Sequence, residues 1–308
     1  MPFKDQYRKQ AALLVRILPF VAEQECFALK GGTAINLFYR DMPRLSVDID
    51  LAYLPVQPRQ DSLTRIETAL RHIAEVAHAG SPVEDITEGT PNKEGAMTKL
   101  FARGNGVQVE IEVTPVIRGC VFAPERRTVS STVEETFGFA EMQVVSFADL
   151  YGGKIVASLD RQHPRDLFDM RDLLANEGIN DDLRRAFIIY LISHDRPMHE
   201  VITTRRKDIS QEYERAFTGM TNEIVTLEEL LAAREATIET VIGNMPDDHR
   251  KFLISFERGE PDWTLLGLEN VENIRDLPAV RWRQQNLDTL TDKKRMALVE
   301  NLERALGA

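Results

Sequence analysis

The sequence predicts an α+β protein: a core of mixed strands and helices over residues 1–145, followed by a mainly helical domain over residues 146–308. Three observations carry this. Ser46-Val47-Asp48-Ile49-Asp50-Leu51 and Val107-Gln108-Val109-Glu110-Ile111-Glu112-Val113 alternate apolar and polar residues with the period of a strand. Between Phe27 and Arg40 a short apolar run, a Gly-Gly turn and a helical stretch follow one another, as at a strand-to-helix junction. From Ser146 onward the spacing is mostly helical, most clearly over Val225–Ile242 and Lys293–Leu306.

In order along the chain, Gln6–Ala22 reads as a helix with Leu13, Leu14, Ile17 and Leu18 on one side. Phe27-Ala28-Leu29 is a short strand, Ala34–Arg40 a short helix, and Asp41-Met42-Pro43 a turn. Past Pro55 and Pro58, Asp61–Val76 resumes helical spacing through Leu63, Ile66, Leu70 and Ile73. Strands are expected near 83–86 and 97–103, and Gly104-Asn105-Gly106 is a hairpin signal leading into Val107. Residues 119–145 read as strands and loops. Ser146-Phe147-Ala148-Asp149 opens a helix in the manner of a capping box, and Gly267–Pro278 reads as a connection.

Composition narrows the function. At 43% hydrophobic and 28% charged residues the chain is globular rather than disordered, and Ala11–Ala22 is broken by Arg16 and Pro19 before it could span a bilayer. Its start lacks the basic and apolar regions of a signal peptide, and its two cysteines, Cys26 and Cys120, have no metal-ligand spacing; a cytoplasmic protein with reduced thiols is expected. A net charge of −11 argues against broad, nonspecific nucleic-acid binding, without excluding RNA met by a local basic patch. The six histidines form no zinc-like cluster, and Trp263 and Trp282 read as anchors of helix packing.

The chemistry concentrates in Lys30-Gly31-Gly32-Thr33 and Asp48-Ile49-Asp50. On a strand Asp48 and Asp50 share a face, about 6–7 Å apart, while Val47, Ile49 and Leu51 face a core. Two such carboxylates can bracket a pair of Mg²⁺ ions about 3.5–4 Å apart. A glycine turn opening a helix presents backbone N–H groups to a phosphate. Separately, Gly-Gly is a common turn and Asp-x-Asp a common solvated edge; together, in this order, they point to nucleotide chemistry.

Lys30-Gly31-Gly32-Thr33-Ala34, followed by Arg44-x-Ser46-x-Asp48-Ile49-Asp50-Leu51, resembles the AbiEii/AbiGii toxin family of the DNA polymerase β-like nucleotidyltransferase superfamily. The resemblance implies a core of mixed sheet and flanking helices, with a helical domain adding residues to the cleft. It implies catalysis by Asp48 and Asp50, with a third metal carboxylate from a neighbouring strand. Val113-Thr114-Pro115-Val116-Ile117-Arg118-Gly119 favours Glu112 over Glu110 for that acid. Gly31, Gly32 and Thr33 would cradle phosphate; Arg44 could reach it, and Ser46 could donate to it or stabilise the turn.

A second stretch runs from Leu150-Tyr151-Gly152-Gly153-Lys154 to His163-Pro164-Arg165-Asp166-Leu167-Phe168-Asp169. By resemblance Lys154 and Asp166 are functional: the lysine offsets phosphate charge during displacement, and Asp166 orients either Lys154 or a nucleotide hydroxyl. The plain alternatives are a solvated helix lysine and an Arg165–Asp169 pair one helical turn apart. Gly152-Gly153-Lys154 is not a P-loop, because the first glycine and the following Ser/Thr are missing. Pro278-Ala279-Val280-Arg281-Trp282-Arg283 also resembles the family's C-terminal region, with no chemistry attached to it.

The family's implied activity is Mg²⁺-dependent transfer of a nucleoside monophosphate from a nucleoside triphosphate to an RNA such as the tRNA 3′ end. It would serve a bacterial toxin–antitoxin or phage-defence system, restrained by a winged-helix antitoxin. The alternatives are nucleotidylation of a protein, perhaps the antitoxin, and a nucleotide-binding regulatory module with little turnover.

Overall fold

The computed structural model describes residues 3–80 and 83–307; Met1 and Pro2, part of the N-terminal stretch read for a signal peptide, lie outside the described residues. The chain divides into two compact units, one of residues up to Ser146 joined by Phe217–Ile224, the other of Phe147–Ala216 and Val225 onward.

The first unit is built on a seven-stranded sheet. Helix α1 (Asp5–Ala22) precedes strand β1 (Phe27–Lys30), and Leu13, Leu14, Ile17 and Leu18 are buried as the spacing predicts. Helix α2 (Gly31–Ala34) then begins at the glycines themselves and widens into a π-helical turn over Ile35–Tyr39. Strand β2 (Asp48–Tyr53), helix α3 (Arg59–Gly80) and strands β3 (Asp85–Glu88), β4 (Lys99–Gly104) and β5 (Val107–Arg118) follow. Strand β6 (Glu125–Thr128), helix α4 (Ser131–Phe137) and strand β7 (Glu141–Val144) complete the order.

The sheet runs β3-β4-β5-β2-β1-β7-β6. It is mixed: β2–β5 and β1–β7 pair in parallel and the other neighbours antiparallel. Ile49, Leu51, Val109, Ile111 and Val113 are fully buried, each such side chain contributing about 1.5–3 kcal/mol of hydrophobic burial. Their neighbours Asp48, Asp50, Glu110 and Glu112 are partly exposed, so the apolar and acidic residues of β2 and β5 divide between opposite faces. Asn105 and Gly106 both adopt positive φ, 53° and 73°, at the hairpin their sequence signals.

Two elements of the first unit differ from the sequence expectation, and in the second unit a short helix over Val271–Arg275 stands within the stretch read as a connection. Residues 131–137 form helix α4, too short to show a period and with Val133 its one buried residue. β5 runs on through Pro115 to Arg118, and its register with β2 shifts between Leu51 and Tyr53. Such an irregularity lets a strand accommodate a residue without an N–H.

The second unit is helical: α5 (Phe147–Asp160), α6 (Pro164–Asn176), α7 (Asp181–Ile192), α8 (Met198–Ile202) and α9 (Ser210–Ala216) come first. After α10 (Leu227–Ile238) come α11 (Asp247–Arg258), α12 (Val271–Arg275), α13 (Pro278–Asp288) and α14 (Asp292–Leu306). Gly152 lets α5 lie hard against α7, since a Cβ there would meet Phe187 N at 2.8 Å and the Ala186 carbonyl carbon at 2.9 Å. Thr226 and Glu229 cap α10 reciprocally. Trp263 packs edge-on against Phe252 and Phe256, the anchoring role its sequence context predicts. Trp282 differs, at 47% exposure: α13 buries Ala279, Val280, Arg283 and Leu287, which puts Trp282 on its other side. No helix among the described residues is long and apolar enough to cross a membrane.

Candidate active site

The acidic face of the sheet is the first constellation. β2 and β5 pair in parallel with Asp48 opposite Glu110 and Asp50 opposite Glu112, so both glutamates stand beside the aspartates. β1 runs antiparallel on the other side, with Lys30 opposite Asp50, and β4 places Lys99 opposite Glu112. Lys30, Asp50, Glu112 and Lys99 therefore stand abreast across four neighbouring strands. The Lys99 ammonium lies 2.7 Å from Glu110 and 3.2 Å from Glu112. These two bonds, the nearer first, raise the Lys99 pKa against the opposing effect of its partial burial.

The glycine turn presses on the same place. Gly31 has φ +73°, and a Cβ on it would overlap Oδ2 of Asp50 while lying 3.1 Å from the carboxyl carbon. A Cβ on Gly32 would fall 2.7 Å from Arg44 Nη2 and 3.1 Å from Ser46 Oγ. The missing Cβ of each glycine is what admits these side chains: the Asp50 carboxylate packs directly on Gly31, and Arg44 and Ser46 pack on Gly32. Thr33 fixes the geometry from below: its buried hydroxyl lies 2.9 Å from Ser46 Oγ and donates to the Asp48 carbonyl at 2.5 Å. Arg44 is 2% exposed, donates to the Leu45 carbonyl at 3.0 Å and bridges Thr221 through its backbone. The structure thus gathers Gly31, Gly32, Thr33, Arg44, Ser46, Asp48 and Asp50 in one place, with Glu110 and Glu112 alongside.

The donors suit a hard divalent cation: carboxylate oxygens on one face, beside a turn with no side chain to shield Asp50. The two aspartates fit such an ion. The third acid is not drawn in with them, since among the described residues no three His, Cys, Asp or Glu side chains gather closely enough to hold a metal. Glu112 is engaged by Lys99 instead.

The second constellation lies within the helical unit. Lys154 of α5 is 6% exposed at its side chain; its Nζ lies 2.8 Å from Asp166 and 3.0 Å from Asp169, both on α6 and fully buried. Arg161 closes the cluster with two bonds to Asp166, of 2.5 and 2.9 Å. Burial alone would raise the Asp166 pKa, but Lys154 and Arg161 outweigh it and hold the carboxyl well below its usual range. Asp166 thus bonds Lys154 directly, at 2.8 Å. Pro164 occupies the first turn of α6, where the His163 side chain accepts from the Arg165 N–H.

Sequence reasoning missed Arg161 and Lys99. An arginine and a lysine five and eleven or more positions from their acids carry no local signal, and only the strand register and helix packing unite them. Arg283, from the C-terminal segment without assigned chemistry, forms a buried pair with Glu257 at 3.6 Å. Neither Glu257 oxygen has a hydrogen-bond partner, and burial raises its pKa against the lowering effect of Arg283.

Comparison with known proteins places this geometry in context. The family model of the AbiEii nucleotidyl transferase toxin of type IV toxin–antitoxin systems matches residues 12–286. No curated protein matches the chain. Among solved structures, MenT4, a nucleotidyltransferase toxin from Mycobacterium tuberculosis H37Rv, is similar at 13% identity and a TM-score of 0.61. That likeness covers 92% of this chain and 93% of the other, and it bears on the fold.

Proposed function

The chain belongs to the AbiEii nucleotidyltransferase toxin family of type IV toxin–antitoxin systems, and from that premise we propose that its acidic sheet face is where a nucleotide is transferred to RNA. Membership makes it a nucleotidyltransferase, with a nucleoside triphosphate as substrate and a cognate antitoxin as partner. The observation that carries the finer reading is the row of Asp50 and Glu112 in register, with the Asp50 carboxylate packed against the Gly31 turn.

In this reading Asp48 and Asp50 would hold Mg²⁺, with Glu112, bonded to Lys99 in this structure, as the third carboxylate. Bound Mg²⁺ would supply charge neutralisation on the triphosphate and activation of the acceptor hydroxyl. Gly31 and Gly32 let phosphate oxygens approach the backbone closely, and Thr33 holds β2 at the height that keeps Asp48 facing them. Arg44 and Ser46, lining Gly32, steady the phosphate end of the nucleotide. The acceptor oxygen forms a bond to the α-phosphorus as the bond from that phosphorus to the β-phosphate oxygen breaks. Pyrophosphate leaves and the hydroxyl proton passes to solvent.

Lys154 offsets charge in the transition state, and Asp166 is its positioning residue. A second reading is favoured by its burial: an ammonium 6% exposed between two carboxylates also serves as the electrostatic centre of the helical unit. Lys154→Met separates them. A loss of transfer far beyond the loss of folded protein, measured by melting, supports the catalytic role.

The acceptor is RNA, with the tRNA 3′ end as the first candidate, and the antitoxin a winged-helix protein; both rest on the family resemblance, as do the cytoplasmic setting and a part in phage defence. Incubation with Mg²⁺, total tRNA and each α-labelled nucleoside triphosphate tests this. Label on tRNA, lost in Asp48→Ala, is expected. Asp48-dependent label on protein instead would replace the RNA acceptor with a protein one, and nucleotide binding without pyrophosphate release would make the protein a regulatory module.

A further inference from the structure

The two lysines that end the Lys30–Asp50–Glu112–Lys99 row are spent differently. Lys99 divides its charge between Glu110 and Glu112. Lys30 is half-buried, and its ammonium donates to Thr114 Oγ1 at 3.0 Å. It makes no ion pair among the described residues, even though Asp50 stands opposite it on the next strand. An ammonium has three donors, and Thr114 takes one. The other two remain over the acidic face, one residue before the Gly31 turn.

We infer that Lys30 binds a phosphate oxyanion of the nucleoside triphosphate at the reacting centre, an assignment that rests on the acidic face being the nucleotide site. Without ligand, Asp50 stands directly across from Lys30 on this face and Asp48 lies two residues along the same strand, so Lys30 borders two carboxylates without bonding either. Once divalent cations take up those carboxylates, Lys30 is left an uncompensated, half-buried cation, and the group that then arrives is a polyphosphate. Lys30 and the metal-binding pair therefore act in sequence, and its contribution appears only with the divalent cation present. Thr114 is the positioning residue that holds the ammonium over β5 rather than letting it collapse onto Asp50. Lys30 carries no carboxylate bond, so replacing it breaks no ion pair of the fold.

The test uses the full-length protein and an α,β-methylene nucleoside triphosphate as probe, with Mg²⁺ saturating or absent. Lys30→Gln is expected to weaken Mg²⁺-dependent binding of the probe by about tenfold, the scale of one charge-assisted hydrogen bond. Lys30→Arg should stay within about threefold of the parent, and Lys93→Gln, on an exposed loop, should leave binding unchanged. In the unaltered protein the probe should protect Lys30 from amine-directed labelling read by mass spectrometry, a measurement independent of any variant's folding. Probe affinity of Lys30→Gln within twofold of the parent, or a Lys30 that labels equally fast when the probe is bound, overturns the assignment. So does a loss confined to tRNA binding. Asp50→Asn tells the two levels apart: if it too binds the probe unchanged with Mg²⁺, the nucleotide site itself is misplaced. If Asp50→Asn abolishes binding while Lys30→Gln does not, only the role of Lys30 falls.

Discussion

Replacing Gly31 with alanine puts the glycine turn and strand β2 into direct conflict. At φ +73° an L-residue costs about 1–2 kcal/mol, and the new Cβ would also overlap Oδ2 of Asp50. The backbone strain belongs to the fold, whereas the overlap belongs to the site. To clear the Cβ, the Asp50 carboxylate must swing by about 1 Å, a displacement that can cost on the order of 100-fold in rate. Gly95→Ala is the control: Gly95 has φ +80° and nothing within 4 Å of its would-be Cβ, so it carries the strain without the clash. Both variants should lose about 1–2 kcal/mol of stability in urea melts. Only Gly31→Ala should lose on the order of 100-fold in transfer of labelled nucleotide to pooled tRNA. Equal activity in the two variants would refute the claim that the Gly31 backbone and the Asp50 carboxylate form one site.

Other perturbations separate the site from the scaffold. Asp166→Ala removes one acid from a buried cluster and should destabilise the helical unit by about 3–5 kcal/mol, read by denaturant melts. The sign with pH follows from its lowered pKa: its stabilisation is full above the ordinary value of 3.8 and is lost as pH falls through the folded value. Acid titration should therefore show the parent losing this contribution below about pH 4, while Asp166→Ala lacks that part of the decline. Arg283→Met strands the buried Glu257 carboxylate and should destabilise at neutral pH. Pairing it with Glu257→Leu should restore stability to near that of the parent, because apolar replacements of a poorly bonded buried pair are often neutral or better.

Much of the geometry of the candidate site was legible because its signals are local. The period of two at Asp48-Ile49-Asp50 and at Val109–Val113 fixes which side chains share a face, and the burial of Ile49, Leu51 and Ile111 follows from it. The glycines stood out for the same reason, although the structure gives them a sharper purpose in their approach to Asp50, Arg44 and Ser46. What local pattern does not carry is register. That Asp50 lies opposite both Lys30 and Glu112, and that Lys99 reaches Glu110 and Glu112, depends on how β1, β2, β5 and β4 are ordered in the sheet. Likewise Lys154 could be placed on a helix from sequence, yet its burial between Asp166 and Asp169 is a product of α5 packing on α6. The Phe217–Ile224 segment joins the first unit through backbone bonds such as Leu45 N–H to the Met220 carbonyl at 2.8 Å, which no side-chain pattern announces.

The most direct test of the central claim is the single-turnover rate of nucleotide transfer to pooled tRNA by Asp48→Asn and Asp50→Asn, with Glu110→Gln alongside and folding of each verified by melting. Either aspartate variant should lose on the order of a thousandfold or more with its melting temperature little changed, while Glu110→Gln remains within about tenfold of the parent. Transfer within tenfold of the parent by a folded Asp48→Asn or Asp50→Asn protein would contradict the account and move the reacting centre away from this face of the sheet.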